Sequence, residues 1–317
     1  MPGSVLILGA GLGGLLCGRW LAGKGWDVVL LEAGAQPGGL LSPFEWEGTW
    51  VERGLHSAGG LGPGEPLDLV FRHFGLSSRD WYPAGEDEGF PFLRLNAGTD
   101  YEKEHILAPY RQSVWRCKGG GKSFVDTLAR RLDIRYGKEV VSVENKVVTC
   151  SDGSAFEADV IISDLHPMVT MALVKDHIRP SYLHRLGKME DGPSIFSVHC
   201  LMEPGCIPWQ SHAIFLEDSL MLHFGEPETN ILDLLCFEGG NPEDLIGRAV
   251  RRLPGLKVQK YCTTLSPGYG FVKHSSADFL SPVTPIPWLF LTGQNLGLHG
   301  ILGTSISALN TCKSVTR

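Results

Sequence analysis

The stretch Val5-Leu6-Ile7-Leu8, Gly9-Ala10-Gly11-Leu12-Gly13-Gly14, Leu15-Leu16-Cys17-Gly18-Arg19-Trp20-Leu21 decides the fold. Four consecutive apolar residues suit a parallel strand buried on both faces. Leu15, Leu16, Trp20 and Leu21 recur at helical spacing, and Gly23-Lys24-Gly25 stops that helix. Val28-Val29-Leu30-Leu31-Glu32 then reads as a second strand, which completes a βαβ unit. The glycines between strand and helix follow the G-x-G-x-x-G pattern. Gly9 makes the tight turn, Gly11 lets the backbone approach a pyrophosphate, and Gly14 allows close helix-strand packing. The helix start adds free N–H groups and partial positive charge. Glu32 follows Gly14 by 18 residues, where an acid accepts hydrogen bonds from a ribose. Packing alone does not call for an acid at that distance, so the segment reads as a dinucleotide site.

Working outward, residues 139–143 and 147–150 are β-rich runs separated by Asn145-Lys146. Asp152-Gly153 turns the chain into a third run, 156–162, and the three read as a meander. From His166 to Ser275 short apolar strands (195–198, 213–216, 220–224 and 231–237) accompany a helix at 242–252, the pattern of an antiparallel sheet with a helix. A buried strand returns at 288–291, before a glycine-rich turn and a weakly amphipathic segment, 304–313. There is no internal repeat and no long linker, so the two zones interrupt one another in sequence.

Composition excludes several classes. Glycine makes up 40 of 317 residues, well above the usual share of roughly 7%, and it falls in clusters rather than in a G-X-Y repeat. The formal charge is −7 and no stretch concentrates Lys and Arg, which argues against nucleic acid as a partner. Eight scattered cysteines form no CxxC pair, so neither a zinc knuckle nor a disulfide framework is indicated, and a reducing, cytoplasmic setting is expected. No apolar run reaches the roughly 18 residues of a spanning helix; docking on a membrane surface stays open. The apolar start lacks the preceding Lys or Arg of a signal peptide, and no N-x-S/T sequon occurs. Lys118-Gly119-Gly120-Gly121-Lys122-Ser123 mimics the end of a P-loop, but Arg116 stands where the first glycine belongs and no buried strand is expected before it. The expectation is a glycine loop leading to a helix with Ser123 as N-cap and Asp126 as its capping partner. HExxH, GxSxG and metal-ligand spacings are absent.

Further segments carry a resemblance: Pro37-Gly38-Gly39; Val51-Glu52-Arg53-Gly54-Leu55-His56; Gly119-Gly120-Gly121 with its helix to Leu132; the meander at 138–163; and Leu291-Thr292-Gly293-Gln294 through Gly300-Ile301-Leu302-Gly303. With the opening glycines and Glu32, they resemble the FAD-dependent amine oxidase and phytoene desaturase superfamily, and within it the retinol saturase and carotenoid isomerase-like branch. The resemblance covers both ends and about half of the chain. It implies an α/β fold: a Rossmann-like FAD-binding domain with parallel sheet and β-meander (1–60, 111–165 and 276–317), plus an inserted α+β substrate domain with antiparallel sheet (61–110 and 166–275).

The resemblance also implies non-covalent FAD. Gly9, Gly11, Leu12, Gly13, Gly14, Glu32 and Ala33 would hold the pyrophosphate and ribose, and Gly38, Gly39 and Leu40 would run along the pyrophosphate and ribityl chain. Val140 would meet the adenine through the main chain. Gly293, Gln294, Gly300, Ile301 and Gly303 would close on the flavin pyrimidine, where a helix start favours negative charge. Two positions depart from the family pattern. Gln294 stands where several relatives carry an acid, and Leu40 where Arg or Lys is common.

His56 is the histidine that the resemblance places at the flavin's reactive face, as a substrate-facing polar group or as a buried histidine satisfied by the backbone. Trp209, Tyr269, Phe271 and Trp288 could line an apolar pocket or serve as core. The implied activity is on carbon-carbon double bonds of an isoprenoid or polyene, an apolar small molecule, in the saturase, desaturase or isomerase sense. NAD(P) would visit only transiently, because one dinucleotide fingerprint exists. The alternatives are an amine-type flavin oxidase and a non-catalytic escort protein of the same fold.

Overall fold

The apolar runs form β1 (Ser4–Leu8), β2 (Asp27–Leu31), β8 (Asp133–Arg135), β12 (Val160–Ser163) and β18 (Leu289–Leu291). They assemble as one parallel sheet in the order β18-β12-β1-β2-β8. The computed structural model describes residues 3–84, 99–107, 112–174, 177–216, 220–237, 239–268 and 270–317. Successive side chains of a strand face opposite ways, and β1 shows the result. Val5 and Ile7 join the core under α1 (Leu12–Ala22) and α8 (Gly300–Val315), whereas Leu6 and Leu8 join a second core on the other face. Ile7, Leu8, Leu30 and Leu291 are fully buried, each contributing roughly 1.5–3 kcal/mol relative to exposure. From β1 the chain runs outward through β2 to β8, then crosses back to lay β12 and β18 on the other side. The strand order therefore reverses between β1 and β12, and open α/β sheets bind ligands outside the carboxyl ends at such a point.

The meander is β9 (Val140–Glu144), β10 (Val147–Cys150) and β11 (Ala155–Glu157). The run expected as one strand at 156–162 is divided: β11 ends at Glu157, and the chain enters the parallel sheet as β12 at Val160. Phe156 and the run from Val160 are both β-prone, so the pattern hides the break at Ala158-Asp159. A hairpin, β3 (Phe44–Trp46) and β4 (Thr49–Val51), turns at Glu47-Gly48, both at positive φ, as a tight two-residue turn requires. β5 (Ala58–Gly59), β6 (Trp81–Pro83) and β7 (Val114–Cys117) form a small sheet.

The second large sheet is antiparallel: β13 (Ile195–Met202), β14 (Ile214–Leu216), β15 (Leu220–Phe224), β16 (Ile231–Phe237) and β17 (Val258–Ser266), in the order β14-β15-β16-β13-β17. One face packs on α7 (Pro242–Arg252) through Leu245 and Ala249. That helix begins as its sequence dictates. The Asn241 side chain accepts the Asp244 N–H at 2.9 Å, Pro242 opens the first turn, and Arg251 and Arg252 sit at the negative end. The sequence reading missed β17, an edge strand whose Gln259, Lys260 and Tyr261 are exposed and weaken its apolar signal.

The remaining helices are α2 (Pro66–His73), α3 (Asp100–Leu107), α4 (Gly120–Ala129), α5 (Pro167–Leu173) and α6 (Pro180–Leu186). Leu67 and Phe71 share the core of α1, and Met171, Ile178 and Leu186 share the core of the meander. These short helices bury apolar residues in the two cores that flank the parallel sheet. No helix among the described residues is long and apolar enough to cross a membrane, and all eight cysteines are free thiols.

Candidate functional site

The turn after β1 is built as its glycines require. Gly9 has φ +91° and donates its N–H to the Leu31 carbonyl at 2.8 Å. A Cβ on Gly14 would sit 2.2 Å from the Gly9 carbonyl oxygen, and one on Gly11 2.5 Å from Asp164 Oδ2. Glu32 splints the turn: Oε2 accepts the Ala10 N–H at 2.9 Å and Oε1 the Gly34 N–H at 2.8 Å. A carboxylate has about four acceptor positions, so capacity remains for ribose hydroxyls.

Two more glycine segments close on this turn. Gly38 donates its N–H to the Ala10 carbonyl at 2.7 Å, and a Cβ on Gly39 would lie 3.3 Å from Gly11 Cα. Beyond β18, the backbone of Gly293 comes within 3.0 Å of a Cβ placed on Gly13. The chain then turns at Gly300, φ +78°, into α8, where a Cβ on Gly303 would be 1.9 Å from the Leu298 carbonyl oxygen. Together they frame a cavity of about 440 Å³ outside the carboxyl ends of β1, β12 and β18. That volume lies in the range of small-molecule sites.

Electrostatics suit a phosphate-bearing ligand. The first turns of α1 and α8 both reach the cavity through Leu12, Gly13, Gly300 and Ile301, and each presents unpaired N–H groups and partial positive charge. Asp164, at the end of β12, also lines it. Burial pushes its carboxyl up to about 7, outweighing hydrogen bonds from the backbone of Gly14 and Gly11, and the charge of Glu32 adds to the rise. Its carboxyl accepts two of the N–H groups at this end, and Leu12 and Gly13 still face the cavity. Glycines that a Cβ would collide with, two helix starts and an acid at the second strand's end together fit a dinucleotide such as FAD.

A family model described as NAD(P)-binding Rossmann-like domain matches residues 7–74, and one described as flavin containing amine oxidoreductase matches residues 85–233. These matches support the FAD-dependent amine oxidase and desaturase superfamily for this chain. Among curated members, a 15-cis-phytoene desaturase of Capsicum annuum is 37% identical over 79 residues, which are 25% of this chain and 13% of the desaturase. The match thus spans about an eighth of that relative's length. Among solved structures, an oxidoreductase from Methanosarcina mazei has a TM-score of 0.71 at 15% identity, covering 98% of this chain and 100% of that one. A CLA-producing fatty acid isomerase from P. acnes has a TM-score of 0.70 at 13% identity, covering 99% and 98%. At such identities the likeness is one of fold.

The expected cofactor residues divide by position. Gly11, Leu12, Gly13, Gly38, Gly39, Leu40, Gly293, Gln294, Gly300 and Ile301 line the cavity. Gly9, Gly14 and Gly303 shape the turns behind it, while Glu32, Ala33 and Val140 stand outside its lining. His56 is not brought to the cavity wall. It is 7% exposed and stacks edge-on against His223, and neither ring nitrogen has a partner. Burial, the largest cause, depresses it to about 4 despite Asp233 nearby. Trp209 donates to the Gly225 carbonyl, Phe271 is buried under Lys273, and neither they nor Trp288 line the cavity. Tyr269 lies outside the described residues.

Sequence reasoning missed Asp164, and also His166 and Asp191, which line the cavity as a pair with Nε2 2.9 Å from Oδ1. Asp164 carried a usable signal, since it directly follows a buried parallel strand beside the switch point. His166 and Asp191 carried none, being joined only by the fold.

The P-loop mimic resolves differently from expectation. A strand, β7, does precede it, and α4 starts at Gly120 with Gly119 as N-cap rather than Ser123. Gly119, at φ +72°, starts the helix early, and the buried Glu52 accepts the Gly121 N–H at 2.7 Å, doing the capping that Ser123 and Asp126 were expected to do. Asp126 instead pairs with Lys122 at 2.8 Å.

Proposed function

We propose that this chain is an FAD-dependent oxidoreductase acting on carbon-carbon double bonds of an isoprenoid or polyene, in the saturase, desaturase or isomerase sense. The observation that carries it is the glycine-framed cavity at the switch point, joined to an apolar sheet. Ile195 pairs with Ser266, next to the cavity-lining Pro267, and Ile195 begins an apolar cluster with Met221 and Leu235. Each CH₂ buried on such a surface contributes about 0.8 kcal/mol, so a polyene needs few polar handles. When bound, FAD supplies hydride or electron transfer.

Adding hydrogen across a double bond also takes a proton, and the cavity offers the His166–Asp191 pair for it. His166 Nδ1 accepts the Met168 N–H, so Nε2 carries the ring proton toward the Asp191 carboxylate. The partial likeness to a phytoene desaturase supports the substrate class. An aromatic cage for an amine finds no counterpart, since no Phe, Tyr or Trp among the described residues lines the cavity.

Stopped-flow spectroscopy of anaerobic protein tests the reading. Reduced protein should be reoxidised by a retinoid- or carotenoid-like polyene, or oxidised protein reduced by its saturated counterpart, with NAD(P) acting only as a transient partner. Traces in which amines bleach the flavin and no polyene affects it would replace this reading with the oxidase. Protein that stays colourless after FAD is added would replace it with the escort protein.

A further inference from the structure

The sheet face that meets the nucleotide-binding unit carries a polar row. Register sets His223 of β15 opposite Asp233 of β16, and Asp233 opposite His199 of β13; residues so opposed share a face. His56, from the turn after β4, closes over the row. Its ring centroid is 4.8 Å from that of His223, and its Nδ1 is 3.8 Å from Asp233 Oδ2. One ligating atom from each of His56, His223 and Asp233 lies within 4.8 Å of the other two, and all three residues are buried.

Their hydrogen bonds decide what faces the centre. His223 Nε2 is 3.0 Å from the His56 carbonyl oxygen, which only accepts, so Nε2 carries the proton and Nδ1 presents a lone pair. His199 Nδ1 donates to Asp233 Oδ1 at 2.7 Å and is held on its far side by Thr264 Oγ1 at 2.8 Å. That leaves His223 Nδ1, Asp233 Oδ2 and both ring nitrogens of His56 buried without partners. With His56 protonated on the ring nitrogen that points away, the centre meets two imidazole lone pairs and a carboxylate oxygen, three acceptors. A water has two protons and can satisfy two of them; a cation satisfies all three.

We propose that His56, His223 and Asp233 bind a divalent first-row transition-metal ion, which clips the nucleotide-binding unit to the antiparallel sheet. Two imidazoles and one carboxylate suit zinc or iron(II), with one or more positions left open. Metal-ligand distances of about 2.0–2.2 Å put ligand atoms roughly 3.3–3.6 Å apart, so the 3.8 Å gap closes by a few tenths of an ångström and the widest, within 4.8 Å, by up to about 1.5 Å through side-chain rotation. The His223 bond to a carbonyl and the His199 bond to the carboxylate are the outer contacts that orient metal ligands. Arg116, whose charge opposes a cation here, is paired with Glu226 at 3.3 Å. The proposal stands whether or not the cavity binds flavin.

The test strips the full-length protein with a chelator and titrates it with zinc chloride, reading calorimetry, melting temperature and metal retained after desalting. One zinc per chain should be retained, with a melting temperature that climbs with free zinc. Asp233→Asn and His223→Gln should lose that equivalent, and His212→Gln, at an exposed histidine, should keep it. His199→Phe should weaken zinc binding about 10–100-fold, with His199→Asn restoring part of it. No retained zinc in the wild type, or undiminished retention in His223→Gln, overturns the proposal. If the ligand variants fail to fold, cobalt(II) in the wild-type protein decides. Intense visible bands of a four- or five-coordinate site support the proposal, and the weak bands of the hydrated ion contradict it.

Discussion

The helices Leu12–Ala22 and Gly120–Ala129 both begin in glycine-rich loops, and both receive a buried carboxylate at their first turn. At the first helix the acid is Asp164, which arrives from the neighbouring parallel strand. Leu12 and Gly13 still face a cavity shared with the turn after the last strand. At the second the acid is Glu52, from the hairpin beside it. A Cβ on Gly120 or Gly121 would strike that carboxylate at 2.2 or 2.5 Å, and Glu226 takes the Gly119 N–H at 3.3 Å. One helix start is thus left open to an anion and the other is surrounded by acids. Glycine content does not separate the two; what does is the strand each follows, a central parallel strand beside the switch point for one and a strand of a small antiparallel sheet for the other.

Glycine substitutions should break the comparison most sharply. Gly14→Ala puts a Cβ 2.2 Å from a backbone oxygen, and should abolish flavin retention while lowering stability by about 3 kcal/mol or more. Gly120→Ala, strained by its φ of +63° and by Glu52, should lower the melting temperature yet leave flavin affinity within about twofold. Equal flavin loss in both variants would erase the distinction.

Glu52→Gln sharpens it through pH. Burial raises Glu52 to about 8, against an ordinary 4.5, more than the Gly121 hydrogen bond lowers it. The folded state therefore holds a proton that the unfolded state loses. Stability from this group is complete below pH 4.5 and declines by up to about 1.4 kcal/mol per pH unit until pH 8. The glutamine variant should lack that decline and should exceed the wild type in urea denaturation near pH 8. Parallel curves would show that Glu52 is not the buried acid described.

Glu32→Ala should remove charge-assisted hydrogen bonds worth roughly 1.5–3 kcal/mol, weakening FAD by about one to two orders of magnitude. Asp164→Asn should act more gently. Wild-type FAD affinity should fall as pH rises through about 7, where Asp164 ionises, and the asparagine variant should bind with a flat profile, as equilibrium dialysis across pH would show.

Much of this was legible in the sequence where structure is local. The opening βαβ unit, the strands Leu220–Phe224 and Ile231–Phe237 and the helix Pro242–Arg252 coincide with their apolar runs and caps. The glycine segments at 38–39, 293 and 300 were readable because each needs a backbone that other residues avoid. The His223-Asp233-His199 row was not. Each is a buried charged or titratable residue inside a mostly apolar strand, a sign that could have been noticed, but only the register of three strands sets them side by side. The position of His56 depends on the fold in the same way: its turn lies beside Leu40, whose carbonyl a Cβ on Gly54 would meet at 2.6 Å. Leu40 faces the cavity and His56 faces away, toward the sheet.

The most direct test of the account is a flavin titration of the purified chain, followed by visible absorbance and by quenching of flavin fluorescence, in the wild type and in Gly11→Val. The account predicts one FAD per wild-type chain and none retained by the variant, whose side chain would enter the space between Gly39 and Asp164. Stoichiometric FAD in a folded Gly11→Val protein would show that the flavin, if bound, lies elsewhere than in the glycine-framed cavity.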